Sequence, residues 1–272
     1  MAEAVADPLR VSVPPDIVAE LKAEVAAELG SADADEMIAA LGGDPRCFER
    51  FLVARALNVS AASDMLRDTL RFRSQEVAPI DPEVRSKVAC WWPGANIGRT
   101  ADGKPLQFVR IGKLDPRGLY ATVTEQEFRS YYIHWMELSL RHQVACSGSQ
   151  IVEIYDLQGL SFSQLHVGAL RMLARVLKIG QDHYMESLHR CIIFNAPKVF
   201  AIAWSIISTV LNERTRAKTL ILSNDGRECL QEVLGLERDE IERLLSKNHE
   251  DDKEGLAWLP APPVSTPPVS VS

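Results

Sequence analysis

The side chains able to do acid–base, nucleophilic or metal chemistry are present in this chain, but they are not spaced for it. The six histidines (His134, His142, His166, His183, His189 and His249) are dispersed. His183 and His189 flank Glu186, the one place that suggests an acid–base or metal pair. Their separation of six positions does not set two imidazoles one turn apart on a helical face. The five cysteines, Cys47, Cys90, Cys146, Cys191 and Cys229, form no CxxC and no metal-like spacing. Their scatter and odd number read as free thiols in a reducing compartment. Cys191 and Cys229 have no local base and read as small buried hydrophobes. There is no GxSxG nucleophile elbow, no GxxxxGK[ST] phosphate loop and no GxGxxG dinucleotide turn. The chemistry left is binding. The expectation is a protein that is not an enzyme and uses no cofactor and no metal.

Composition agrees. Across 272 residues, 46% are hydrophobic and 25% charged, which is ordinary for a globular chain with a sizeable core. A net charge of −7 argues against nucleic acid as a partner, since phosphate backbones need a concentrated basic surface. It also argues against permanent attachment to anionic membranes, without excluding a local basic patch. The start, MAEAVADPLRV, lacks a basic n-region and an apolar run, so no secretory signal is expected. The apolar run Val199 to Leu211 is too short to span a bilayer. The expected place is the cytoplasm, with transient membrane contact, and the expected state a monomer.

The elements that must position any binding groups follow from the pattern. Pro14-Pro15 opens a helix with Ile17, Val18, Leu21, Val25 and Leu29 at helical spacing. Short helices follow near 37–41 and 47–57, and a firmer one after a Ser60 N-cap. Residues 14–80 therefore read as a small helical unit. From about residue 105 strands and helices alternate. LQFVRI (106–111), IVEIYDL (151–157), RCIIFN (190–195) and TLILS (219–223) read as strands. Helices are expected from the Thr124/Glu127 capping box onward, over 163–179, over 197–211, and at 228–234 and 239–245. Gly94 to Gly98 (GANIG) is read as a turn. This alternation predicts an α/β domain over 86–250 with a mostly parallel sheet. The Pro/Ser/Val tail at 255–272 is too poor in core residues to fold.

Several segments together resemble one family, the CRAL-TRIO lipid-transfer superfamily, and within it the phosphatidylinositol-transfer branch. FLVARALNVSAASDMLRDTLRFR (51–73) is similar to its N-terminal helical module, and DGKP (102–105) to its DGRP turn. IVEIYDLQGLS (151–161) resembles its D-L-x-G-[IL]-S segment. YMESLHRCIIFNAPKVFAIAW (184–204) resembles its YPE…I-I-N-A-P-x-x-F block, and RTRAKTLIL (214–222) its T-x-x-K-I stretch. The resemblance implies a CRAL-TRIO fold, with a sheet floor and flanking helices around a lipid cavity. It implies phosphatidylinositol as the ligand, with Arg55, Glu186, Thr215 and Lys218 at the inositol-phosphate site. Arg55 would bind the phosphate, Thr215 would add a donor, and Glu186 would accept from Lys218 and from ring hydroxyls.

The chemistry is coherent. Sheltering two acyl chains outside a membrane means covering roughly 30 methylenes at about 0.8 kcal/mol each, which requires an enclosed apolar hollow. A buried carboxylate is tolerable beside an ammonium, so Glu186 and Lys218 should occur together. The resemblance also implies a gate helix that swings open on a bilayer, here carrying Phe200, Trp204, Ile207 and Leu211. A buried core helix would be equally apolar. Arg214, Arg216 and Lys218 beside it would attract anionic head groups. This sequence departs from the pattern in places. Ala56 replaces a basic residue, and Ile151, Glu153 and Gln107 stand at choline-signature positions, so phosphatidylcholine binding should be weak. The LP-x-x-x-GG segment is replaced by IERLLSKNHE (241–250). Two other readings stay open: a carrier of another hydrophobe (sterol, tocopherol or retinoid), and a non-transferring module that senses lipid or docks a protein.

Overall fold

A computed structural model of the chain describes residues 11–26, 32–92, 94–146 and 150–246. The tail read as unfolded, 255–272, lies outside the described residues. Five helices come first: α1 (Pro15–Glu24), α2 (Ala32–Ala40), α3 (Arg46–Ala54), α4 (Val59–Glu76) and α5 (Pro82–Ala89). Pro15 and Pro82 occupy the first helical turns of α1 and α5, where a missing N–H costs nothing. The N-cap of α4 is Asn58, whose side chain accepts from the Ala61 N–H at 2.9 Å, rather than the expected Ser60. The first four helices share their core with later elements. Leu21, Phe48, Phe51, Leu52, Leu66 and Phe72 pack in one cluster with Ile133, Leu140, Val176 and Ile179.

The sheet follows: β1 (Gly94–Arg99), β2 (Pro105–Arg110), β3 (Ile151–Asp156), β4 (Leu188–Phe194) and β5 (Thr219–Ile221), in that spatial order. β2 through β5 are parallel and β1 is antiparallel to β2, so the mostly parallel sheet is as expected. GANIG is a correction, because it forms the edge strand β1 rather than a turn. Gly98 sits at φ 145°, in a bulge opposite Leu106, a conformation that a residue with a Cβ rarely adopts. Crossovers carry α6 (Pro116–Thr122), α7 (Glu125–Ala145), α8 (Val167–His183), α9 (Phe200–Ile207) and α10 (Glu213–Ala217); α11 (Arg227–Leu234) and α12 (Arg238–Ser246) close the chain. The Thr124/Glu127 capping box opens α7 as read from the sequence.

The period-2 pattern of the strands divides the sheet into two different faces. Ala95, Ile97, Leu106, Phe108, Val152, Ile154, Ile192 and Phe194 pack against Leu230 and Leu234 of α11 and Ile241 and Leu245 of α12. That face is solid. The segment 241–246, which stands where the resemblance led one to expect a glycine-rich stretch, is thus the helix that covers it. The opposite face looks toward α7, α8 and α9.

Buried charge ties the helical unit to this second layer. Arg73 of α4 forks onto Glu137 of α7 at 2.7 and 3.0 Å, and the Tyr184 hydroxyl donates to the same carboxylate at 2.7 Å. Both side chains of the pair are largely shielded, Arg73 more than Glu137. Phe72 stacks on His183 at 4.0 Å between ring centroids, next to this clamp. Removing one partner strands the other charge in an apolar setting. Arg73→Ala should therefore lower unfolding free energy by about 3–5 kcal/mol in urea denaturation. A loss under about 1 kcal/mol, the level of an exposed pair, would contradict the assigned role.

Candidate functional site

A cavity of about 440 Å³ lies between the open face of the sheet and α7, α8 and α9. Its walls are mostly apolar. Ile151, Tyr155, Leu157 and Ile193 line it from the sheet, Met136 from α7, Leu173 and Leu177 from α8, and Phe200, Trp204 and Ile207 from α9. The volume falls within the range of ordinary ligand pockets, about 300–1,000 Å³. α7 and α8 come close because position 180 is glycine: a Cβ there would stand 2.4 Å from the Tyr132 hydroxyl oxygen.

The charged groups gather where the segment before β4, α10 and the end of α3 meet. Glu186 occupies the left-handed region at φ 52°, uncommon for a residue with a side chain. Its Oε1 accepts from Arg214 Nε at 2.8 Å, and its Oε2 from Arg214 Nη2 at 3.2 Å and Lys218 Nζ at 2.8 Å. Gln150 Nε2 donates to the Glu186 carbonyl at 2.9 Å, which fixes the strained backbone. Lys218 is only 3% exposed and donates also to the Leu188 carbonyl at 2.8 Å. Burial works to raise the Glu186 carboxyl; the Arg214 hydrogen bonds and the Lys218 charge outweigh it and hold the group below the ordinary carboxylate value.

The sequence-predicted residues fall as follows. Glu186 and Lys218 are directly paired. Thr215 lines the cavity, but its hydroxyl donates to Gln181 Oε1 at 3.0 Å, and Gln181 also accepts the Asn212 N–H at 3.0 Å. Arg55, the C-cap of α3, lines the cavity from an exposed position. Phe200, Trp204, Ile207 and Leu211 all line it, but the helix ends at Ile207 rather than near Leu211. A turn and the Asn212 cap of α10 break the expected run, because Asn212 accepts the Thr215 N–H at 2.8 Å. The main correction is Arg214. Read from sequence as a membrane-facing cation, it is locked bidentately on Glu186. Its position four before Lys218 was the available signal, because such residues share a helical face. Arg50 was also missed. It is half-buried, donates to Gln143 Oε1 at 3.2 Å, and burial lowers its guanidinium against the opposing charges of Cys47 and Glu186. His183 and His189 form no metal site with Glu186; among the described residues no His/Cys/Asp/Glu group is arranged to hold a metal. The described cysteines are free.

An apolar hollow with its charges collected at one end is the form of a protein that holds a hydrophobic ligand. The chain belongs to the CRAL/TRIO domain family, whose profile matches residues 86–238. It is a family of lipid-binding and lipid-transfer domains. The chain is 31% identical over 198 residues to Protein real-time of Anopheles gambiae, covering 70% of this chain and 29% of that protein. It is 26% identical over 212 residues to the phosphatidylinositol/phosphatidylcholine transfer protein SFH7 of Arabidopsis thaliana, covering 74% and 39%. It thus spans well under half the length of these relatives. The crystal structure of Sfh5 superposes with a TM-score of 0.59 over 80% of this chain and 82% of that one, at 18% identity, a likeness of fold. No helix among the described residues is long and apolar enough to cross a membrane.

The depressed Glu186 carboxyl makes a pH prediction. A group whose folded-state pKa lies below its unfolded value adds stability that is complete above the unfolded value and is lost as pH falls through the folded one. Between pH of about 6 and about 3, Glu186→Gln should lose less unfolding free energy than the parent. Parallel pH profiles for the two proteins would remove Glu186 as a source of acid sensitivity.

Proposed function

We propose that this chain binds phosphatidylinositol in the cavity and transfers or presents it between membranes. The observation that carries the reading is the balance of charge at the polar end. Arg55, Arg214 and Lys218 line the cavity beside Glu186 and Glu213, so an arriving phosphate meets three cations against two carboxylates. Arg55 reaches solvent and is placed to meet the phosphate first, while Glu186 offers acceptors to ring hydroxyls. Acyl chains would run along the apolar walls. The transfer function printed in the name of the plant relative SFH7 agrees with this reading.

In this reading α9 is the gate. One side of it faces the hollow through Phe200, Ala203, Trp204 and Ile207, while Ile202 is 45% exposed. A helix that seals a cavity on one side and presents an apolar residue on the other can exchange water for bilayer at small cost, so membrane contact shifts the population toward the open form. The domain division that goes with this places residues 14–80 as a helical support and 86–250 as the carrier. Phosphatidylcholine is a poor ligand in this scheme, because Ile151, Glu153 and Gln107 offer no hydroxyl donors.

Lipids extracted from the purified protein and identified by mass spectrometry test the cargo. Phosphatidylinositol supports the reading; a neutral isoprenoid or an empty cavity with a tightly held protein partner supports a rival. Lys218→Ala leaves Glu186 paired with Arg214, so the fold is expected to survive while vesicle-to-vesicle phosphatidylinositol transfer falls by about tenfold or more, the scale of one charge-assisted contact. Transfer at the parent's rate by a folded Lys218→Ala protein refutes the head-group assignment.

A further inference from the structure

The segment between β4 and α10 is tied to the rest of the molecule at its two ends and hardly at all between them. At its start the Asn195 N–H donates to the Asn224 carbonyl at 2.7 Å and the Ala196 N–H to the Leu222 carbonyl at 2.9 Å. The Asn195 side chain adds a bond to Asp156 Oδ1 at 2.8 Å. At its finish the Asn212 N–H donates to Gln181 Oε1 at 3.0 Å. Residues 197–211, between these anchors, bond mainly within themselves: the Ser205 and Thr209 hydroxyls donate to the Ile202 and Ile206 carbonyls. Among the described residues, their one hydrogen bond to anything outside the segment comes from Arg216 Nη1 to the Ser208 carbonyl at 3.3 Å. The rest of the hold is apolar, with Phe200, Ala203, Trp204 and Ile207 in one cluster with Leu165 and Leu170. Apolar contact has no preferred direction, whereas hydrogen bonds fix points.

The anchor at the finish depends on a single atom. Gln181 Oε1 accepts the Asn212 N–H and the Thr215 hydroxyl together, each at 3.0 Å. Asn212 in turn caps α10 by accepting the Thr215 N–H at 2.8 Å. The post on which this oxygen stands is rigid. Gly180 packs closely on Tyr132 of α7, His183 stacks on Phe72 of α4, and the Tyr184 hydroxyl bonds to Glu137 of α7. Residues on both sides of Gln181 are therefore fastened to other helices. α10 is fastened a second way, through Arg214 and Lys218 on Glu186.

We propose, resting on the reading of α9 as the gate, that Gln181 is a positioning residue for cargo exchange. Its amide oxygen fixes the pivot about which residues 197–211 swing, and so sets how often the cavity opens rather than how tightly it holds. With the pivot in place, the segment returns after each excursion to the position in which Phe200, Trp204 and Ile207 close the hollow. Without the acceptor, Asn212 and Thr215 lose their shared partner, and the closed form loses part of its advantage over the open one. That loss is the same for a filled and an empty cavity. Entry and departure of cargo then quicken together, and their ratio, the affinity, changes little.

Nile red, a neutral apolar dye with no head group, reads these rates by stopped-flow fluorescence, as it binds the purified protein and as it leaves for excess phosphatidylcholine vesicles. Gln181→Met keeps the length of the side chain and removes the acceptor, while Gln181→Glu keeps the acceptor. Gln181→Met should raise association and release together by about tenfold, the scale of one or two hydrogen bonds, with affinity nearly unchanged. Gln181→Glu should restore the parent's rates. Unchanged rates in a folded Gln181→Met protein would overturn the proposal. So would faster release alone, which makes Gln181 a piece of wall, or Gln181→Glu behaving like Gln181→Met. Ile202→Ser separates the pivot from the gate, because it should slow release into vesicles severalfold if α9 opens on the bilayer. Slowed release beside an inert Gln181→Met removes the pivot alone; two inert variants remove the gate reading with it.

Discussion

A sheet packed solid on one face and left hollow on the other must be held open by something other than packing. Side chains around a void lose dispersion contacts that a filled core would give them. Here the loss falls on the layer of α7, α8 and α9, while the face under α11 and α12 carries a continuous core. The hollow layer is braced by ion pairs. Arg73, Glu137 and Tyr184 join α4 to α7 and to the segment after α8. Arg175 of α8 pairs with Glu125 of α7, and Lys87 of α5 with Glu127 at 2.7 Å. These braces hold α7 and α8 in place, and of their residues Tyr184 also lines the cavity. That is the arrangement a binding hollow requires, since every side chain that filled it would displace ligand.

The Glu186 cluster braces the other end and is less symmetrical. A carboxylate held by two cations has surplus positive charge, and its backbone sits in an uncommon conformation that the Gln150 bond maintains. Arg214 is about 30% exposed at its side chain and Lys218 about 4%. The two cations therefore differ in freedom. Lys218 also donates to the Leu188 carbonyl, and Arg214 sits nearer water. Either cation alone still leaves the buried carboxylate an ionic partner.

Much of this was legible in the sequence, and the parts that were not have physical reasons. The parallel strands β2 to β4 announced themselves by short apolar runs between long helices, and the capping box by its spacing. Glu186 and Lys218, 32 positions apart, were legible only through a resemblance, since no local period relates them. β1 was missed because glycine-rich GANIG has little strand propensity; its pairing with β2 and its cover by α12 decide the matter. The break after Ile207 was hidden because an apolar run gives no period, and the signal lay in Asn212 as a cap. The row that Gln107, Glu153, Cys191 and Thr219 form across the sheet was illegible for a deeper reason, since they come from four separate strands and register is a tertiary property.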